Sequence, residues 1–130
     1  MAFETKRLPA LPDIVAPDGS DVRVLLATKR GSMAHFELAA GCASEAIRHR
    51  TVDEIWFVLC GNGEMWRSLD GREEITALEP GICISLPVGT HFQFRASGEQ
   101  ALSAIGVTMP AWPGPQEAVP VPGQWSTRKA

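Results

Sequence analysis

The amino-acid sequence predicts a single all-β domain, a sandwich or barrel of short strands. Turn residues recur at near-regular, short spacing, and the segments between them alternate or are rich in Val, Ile, Phe and Trp. No window offers a long amphipathic helix capped at both ends. At 130 residues and 14.0 kDa there is room for one core, and 45% hydrophobic residues suffice to fill it.

Residues 1–20 read as an arm carrying Pro9, Pro12 and Pro17, without clear periodicity. Residues 21–108 read as the barrel. Asp21–Ala27 follows the Asp18-Gly19 turn and alternates around Val22 and Val24. Met33–Leu38 follows Gly31-Ser32, with Ala34, Phe36 and Leu38 on one face and His35 and Glu37 on the other. Ala46–Arg50 and Glu54–Cys60 come next, then Glu64–Leu69 after Gly61-Asn62-Gly63. Ile75–Leu78 follows Asp70-Gly71, Ile82–Leu86 follows Pro80-Gly81, and His91–Ala96 leads to Ser97-Gly98 and a last strand at Leu102–Thr108. Residues 109–130 form a tail whose prolines at 110, 113, 115, 120 and 122 speak against regular ladder pairing. Trp112 and Trp125 make this tail a strap packed onto a groove, with a lid over a site as the other reading.

Composition excludes several function classes. The net charge is −3, and the twelve basic residues, nine of them Arg, are scattered, so no basic stripe for nucleic acid forms. The longest apolar run, Ile55 to Cys60, is too short to span a bilayer, and the first residues lack an apolar signal core. Cys42, Cys60 and Cys83 are odd in number and widely spaced, as reduced thiols of a cytoplasmic protein would be. None stands at a catalytic spacing from a base; Cys60 is expected to face inward at its strand end.

The strand Glu54–Cys60 is apolar on both faces. Glu54, Trp56, Val58 and Cys60 share one; Ile55, Phe57 and Leu59 share the other. If the first face lines the barrel, the second needs a cover, and a homodimer is the expected one.

Gly41, His49, Glu54 and Gly61 stand at a spacing that resembles the first motif of the cupin superfamily, and Gly81, Pro87 and Gly89 resemble the second. The resemblance spans roughly residues 20–108. It implies a cupin-type β-barrel, that is, a double-stranded β-helix or jelly roll, whose lumen carries a metal bound by three histidines and a glutamate. Here Ile47 stands at the first histidine position and Phe92 at the last, leaving His49 and Glu54. Two protein ligands fall short of the three or four of stable divalent sites, so no tightly bound metal is expected. A bulge beside Gly89 that turned His91 inward would give the alternative, a divalent transition metal on His49, Glu54 and His91. The metal-free sugar epimerases of the superfamily pair a histidine with a tyrosine acid, and this chain has no Tyr.

Without metal, His49 and Glu54 in an apolar lumen make an acid–base pair. Ile47, Trp56, Val58, Met65, Phe92 and Phe94 are the expected walls. Arg67, on the parity of Met65, is either an anion anchor in the barrel mouth or an exposed strand-end side chain. The expectation is a barrel that binds a small organic molecule, with its conversion as a further reading. A metal-dependent lyase, isomerase or dioxygenase and a non-catalytic sensing or structural protein are the alternatives. Whether the chain is an enzyme stays open.

Overall fold

A computed structural model describes residues 3–129. The described residues form eleven strands and one short 3-10 turn. They are β1 (Ile14–Val15), β2 (Asp21–Ala27), β3 (Ser32–Leu38), β4 (Ile47–His49), β5 (Asp53–Cys60), β6 (Asn62–Leu69), β7 (Arg72–Leu78), β8 (Cys83–Leu86), β9 (His91–Ser97), β10 (Leu102–Met109) and β11 (Ala118–Pro120). Two antiparallel sheets, ordered β1-β2-β3-β10-β5-β8 and β11-β4-β9-β6-β7, face each other as a jelly-roll barrel. All nine strands expected from alternation are present. Among the described residues, no helix is long and apolar enough to cross a membrane.

The core fills the space between the sheets. Val58 and Met65 are completely buried, with Phe94, Leu78, Leu86 and Leu102 around them. On β5 the alternation is literal. Glu54, Trp56 and Val58 are buried, while Ile55, Phe57 and Leu59 stand 44%, 47% and 38% exposed. That parity breaks at the end of the strand. Ser103 pairs with Cys60 and Ala104 with Val58, so a register shift lets Cys60 turn out and become exposed instead of facing inward.

The Gly61–Gly63 segment makes a sheet crossover, since β5 pairs with β10 and β8 while β6 pairs with β7 and β9. Gly61 has φ +82°, and a side chain there would run into the Ala101 carbonyl.

Two elements were not expected. β1 lies in the amino-terminal arm and pairs with β2, through Ile14–Val22 and Val15–Asp21. β11 lies in the proline-rich tail and pairs with β4. Pro120 is tolerated because β11 is the edge of its sheet, where a missing N–H costs no ladder bond. Beyond β11 the tail runs along the outer face of the smaller sheet. Gln93, almost fully buried, accepts from the backbone N–H groups of Gln124 and Trp125 and donates to the carbonyls of Ser44 and Trp125. The Arg95 guanidinium lies 4.2 Å from the Trp125 ring centre. The tail is an ordered strap.

Candidate functional site in the barrel lumen

One cavity of about 220 Å³ opens into the lumen between the arm, the β2–β3 hairpin and the strap. His49 ends β4, a three-residue strand held between β9 and β11, and Glu54 opens β5. Both line the cavity and both are 4% exposed. His49 Nδ1 lies 3.6 Å from Glu54 Oε1, beyond hydrogen-bond range. Phe92 and Trp112 pack edge-on against the imidazole, at centroid distances of 5.2 and 5.1 Å. Trp56 stacks on Phe36 at 5.1 Å beside the glutamate.

Gly106 on β10 makes room for this arrangement. A Cβ there would lie 2.5 Å from the Phe36 ring, 2.6 Å from Glu54 Oε2 and 3.1 Å from Trp56 Nε1. The glutamate carboxyl and the indole N–H therefore meet over a bare patch of backbone. The Trp56 N–H is buried and has no hydrogen-bond partner.

Burial governs the charges. It pushes the Glu54 carboxyl up to about 8, opposed by the neighbouring Trp56 N–H and reinforced by Asp18. It pushes His49 down to about 4, against the opposing pull of the Glu117 carboxylate. At neutral pH both are uncharged, so their proximity is a neutral acid beside a neutral base and not an ion pair.

Asp18 is the residue that sequence reasoning missed. It was legible only as part of a turn, and indeed its Oδ1 accepts from the Ser20 N–H and hydroxyl, at 2.9 and 2.6 Å. It is nonetheless 4% exposed and lines the same cavity. Burial raises its pKa despite the Ser20 bonds. No local signal separates a buried Asx turn from a solvated one.

Glu117 was missed too. It sits in the strap's 3-10 turn and accepts from the N–H groups of Thr51 and Val52, at 2.6 and 2.8 Å, and from the Thr51 hydroxyl at 2.7 Å. Burial opposes its charge, but these donors and His49 outweigh that and hold its pKa low. Thr51 and Val52 belong to the loop between His49 and Glu54, so the strap fixes the spacing of the acid–base pair. The strap also lays Trp112 against the cavity, with its backbone N–H donating to Ser32 Oγ at 3.0 Å.

The remaining expected residues divide. Ile47, Trp56 and Phe92 line the cavity. Val58, Met65 and Phe94 do not; they close the barrel below it as solid core, with Phe94 edge-on to Trp56 at 4.9 Å. Arg67 keeps the parity of Met65 but lies too near the barrel end to reach the cavity. Its guanidinium bridges outward to the Ser85 carbonyl, Glu74 and Thr76, at 2.9, 2.9 and 3.0 Å. Arg67 is therefore not an anion anchor of the cavity that holds His49 and Glu54.

His91 stays on regular ladder pairing, opposite Arg48 and Ser68, while the adjacent Phe92 faces Ile47 and Arg67. Without a bulge it points away from the lumen, so His49, Glu54 and His91 do not converge. Among the described residues, no group of three or more His, Cys, Asp or Glu could hold a metal ion. The donors present do not fit the resident metal that the resemblance implied.

No family model matches the chain, and no curated protein matches it in sequence. Solved structures match its fold. One is a Klebsiella pneumoniae protein of uncharacterised function with a double-stranded β-helix domain (17% identity, 80% of this chain and 85% of that one, TM-score 0.67). Another is oxalate decarboxylase from Bacillus subtilis (15% identity, 80% of this chain and 28% of that one, TM-score 0.72). A third is Drosophila melanogaster CENP-C bound to CAL1 (13% identity, 70% and 74%, TM-score 0.64). An enzyme and a protein-binding domain share the architecture, so the fold does not choose between those functions.

Proposed function

We propose that this chain, whose fold is the double-stranded β-helix of the cupin superfamily, binds a small organic molecule in its lumen and moves a proton on it without a resident metal. The observation that carries this reading is the pairing of a neutral buried carboxyl with a neutral imidazole at 3.6 Å on one apolar cavity. In an apolar enclosure an acid near 8 and a base near 4 are both in the protonation state needed to act at neutral pH. Glu54 and His49 are the acid–base pair that moves the proton, and Ile47, Phe92 and Trp112 shape the ligand and exclude water.

A fragment screen by ligand-observed NMR tests the binding. Wild-type protein should give hits that Ala34→Leu loses, because that side chain lines the cavity and the larger one fills it. Turnover of those hits should vanish in both His49→Ala and Glu54→Gln while the melting temperature stays within a few degrees. Full turnover in both variants overturns the acid–base assignment.

The outer face of the larger sheet supports a second proposal, that two copies pair there. Ile55, Phe57 and Leu59 are joined by the exposed Met33 on β3. A face of this kind, carried by every copy, is self-complementary under a twofold axis. The expected assembly is a homodimer that leaves both lumens open.

A further inference from the structure

Among the described residues, the lumen holds two buried carboxyls, from Asp18 and Glu54, and no lysine or arginine lines it. Its walls are aromatic where they meet the acids. Phe36 and Trp56 lie beside Glu54, and Phe92 and Trp112 lie beside His49. Asp18 keeps one oxygen on Ser20, whereas Glu54 and His49 are not paired with each other. His49 Nδ1 and Glu54 Oε1 stand 3.6 Å apart, with no hydrogen bond between them. One buried donor, the Trp56 N–H, lies next to the Glu54 carboxyl without a well-formed hydrogen bond to it.

We infer that the ligand is a compact organic cation, an ammonium group on a small hydrocarbon or aromatic body. This rests on the lumen being the binding site, as proposed above, and names the chemistry it selects.

Each unsatisfied feature is completed by such a ligand. An N⁺–H group placed between Glu54 and His49 donates to both, and its charge favours the carboxylate form of Glu54. An ionised Glu54 in turn gives the Trp56 N–H a stronger, charged acceptor. Asp18 lines the same cavity and adds negative potential when ionised, and Phe36, Trp56, Phe92 and Trp112 supply aromatic wall for the ligand's positive end. An anionic ligand meets two carboxyls and no counter-charge. A neutral ligand leaves the glutamate protonated, and the indole N–H then faces only a weaker, neutral acceptor. The cavity, about 220 Å³, is below the 300–1,000 Å³ or so of drug-sized sites, which restricts the body to a single ring or short chain.

Three probes of nearly one shape separate these cases: benzylamine, benzyl alcohol and benzoate, titrated calorimetrically into the full chain at one pH and salt concentration. Benzylamine is expected to bind at least tenfold more tightly than the alcohol, and benzoate not to bind. Glu54→Gln should lower benzylamine affinity tenfold or more and leave the alcohol within threefold. Asp18→Asn, should Glu54→Gln fold poorly, is expected to weaken benzylamine alone, by a smaller factor. If the alcohol binds as tightly as the amine, or benzoate binds best, the cation inference is overturned while the lumen site stands. If no probe binds at millimolar concentration, both fall.

Discussion

Replacing Glu54 by Gln should change how stability depends on pH, and the structure sets both the window and the size. The folded protein holds the Glu54 proton up to about pH 8, whereas an unfolded chain releases it near the ordinary value of 4.5. Between those values the folded state binds more protons, so stability falls as pH rises. His49 acts in the opposite sense. Unfolded, it takes a proton below 6.5; folded, only below about 4, so its contribution is lost as pH falls through that range. From pH 4.5 to 6.5 the two slopes nearly cancel. From 6.5 to 8 Glu54 acts almost alone. One and a half pH units at about 1.36 kcal/mol each set a ceiling of about 2 kcal/mol. The curved ends of both titrations reduce the expected loss to about 1–1.5 kcal/mol. Urea denaturation at half-unit steps from pH 6 to 8.5, at one protein concentration because assembly shifts apparent stability, reads this directly. Wild type should lose that amount and Glu54→Gln should be flat or rise slightly. A flat wild-type curve, or an equal slope in the variant, refutes the buried neutral carboxyl.

Phe57→Asp puts a charge on the exposed apolar face of β5, and light scattering should find it monomeric at concentrations where wild type is a dimer; a wild-type monomer at micromolar concentration sinks the pairing proposal. Glu117→Ala strips the acceptor from two backbone N–H groups and the Thr51 hydroxyl and should cost about 2–4 kcal/mol in a urea melt, with faster proteolytic cleavage of the strap. Arg67→Ala should leave the affinity of any lumen ligand within twofold, since its guanidinium is held outside the cavity by Glu74, Thr76 and Ser85; a larger loss would restore it to the site. Protein purified without chelator should carry far less than one transition metal per chain by elemental analysis, because only His49 and Glu54 stand at the positions the resemblance assigns to ligands.

What could be read in advance was whatever depends on period two. On β5 a glutamate among large apolar residues marked the buried face, and every residue from Glu54 to Val58 took the side that alternation assigns. The rule failed where a register shift intervened, at Cys60, and where direction alone was asked to decide reach, at Arg67. Parity says which way a strand residue points but not how far along the barrel it sits. Alternation also could not find β1 and β11, because each is too short to show a period and exists only through the edge that it pairs with. Asp18 and Glu117 were hidden for a related reason. Both lie in loops dense with turn residues, where burial is imposed by distant chain segments.

Three buried carboxyls in one small barrel invite a distinction between holding the fold and serving a site. Glu117 is fully engaged. Its three donors more than offset its burial, its pKa falls, and removing it should cost stability at once. Asp18 stands between, with one oxygen bonded to Ser20 and its pKa raised all the same. Glu54 is at the other extreme, with only the imperfectly placed indole N–H of Trp56 beside it and a proton retained to about pH 8. A glutamine or leucine at position 54 would relieve that burden, so on folding grounds alone Glu54 is a poor choice. Groups kept in so unfavourable a state cluster where a protein acts on something else. The order of engagement, Glu117 then Asp18 then Glu54, is thus an order of decreasing structural use. It runs from the strap into the cavity and ends at the carboxyl that a bound cation would satisfy.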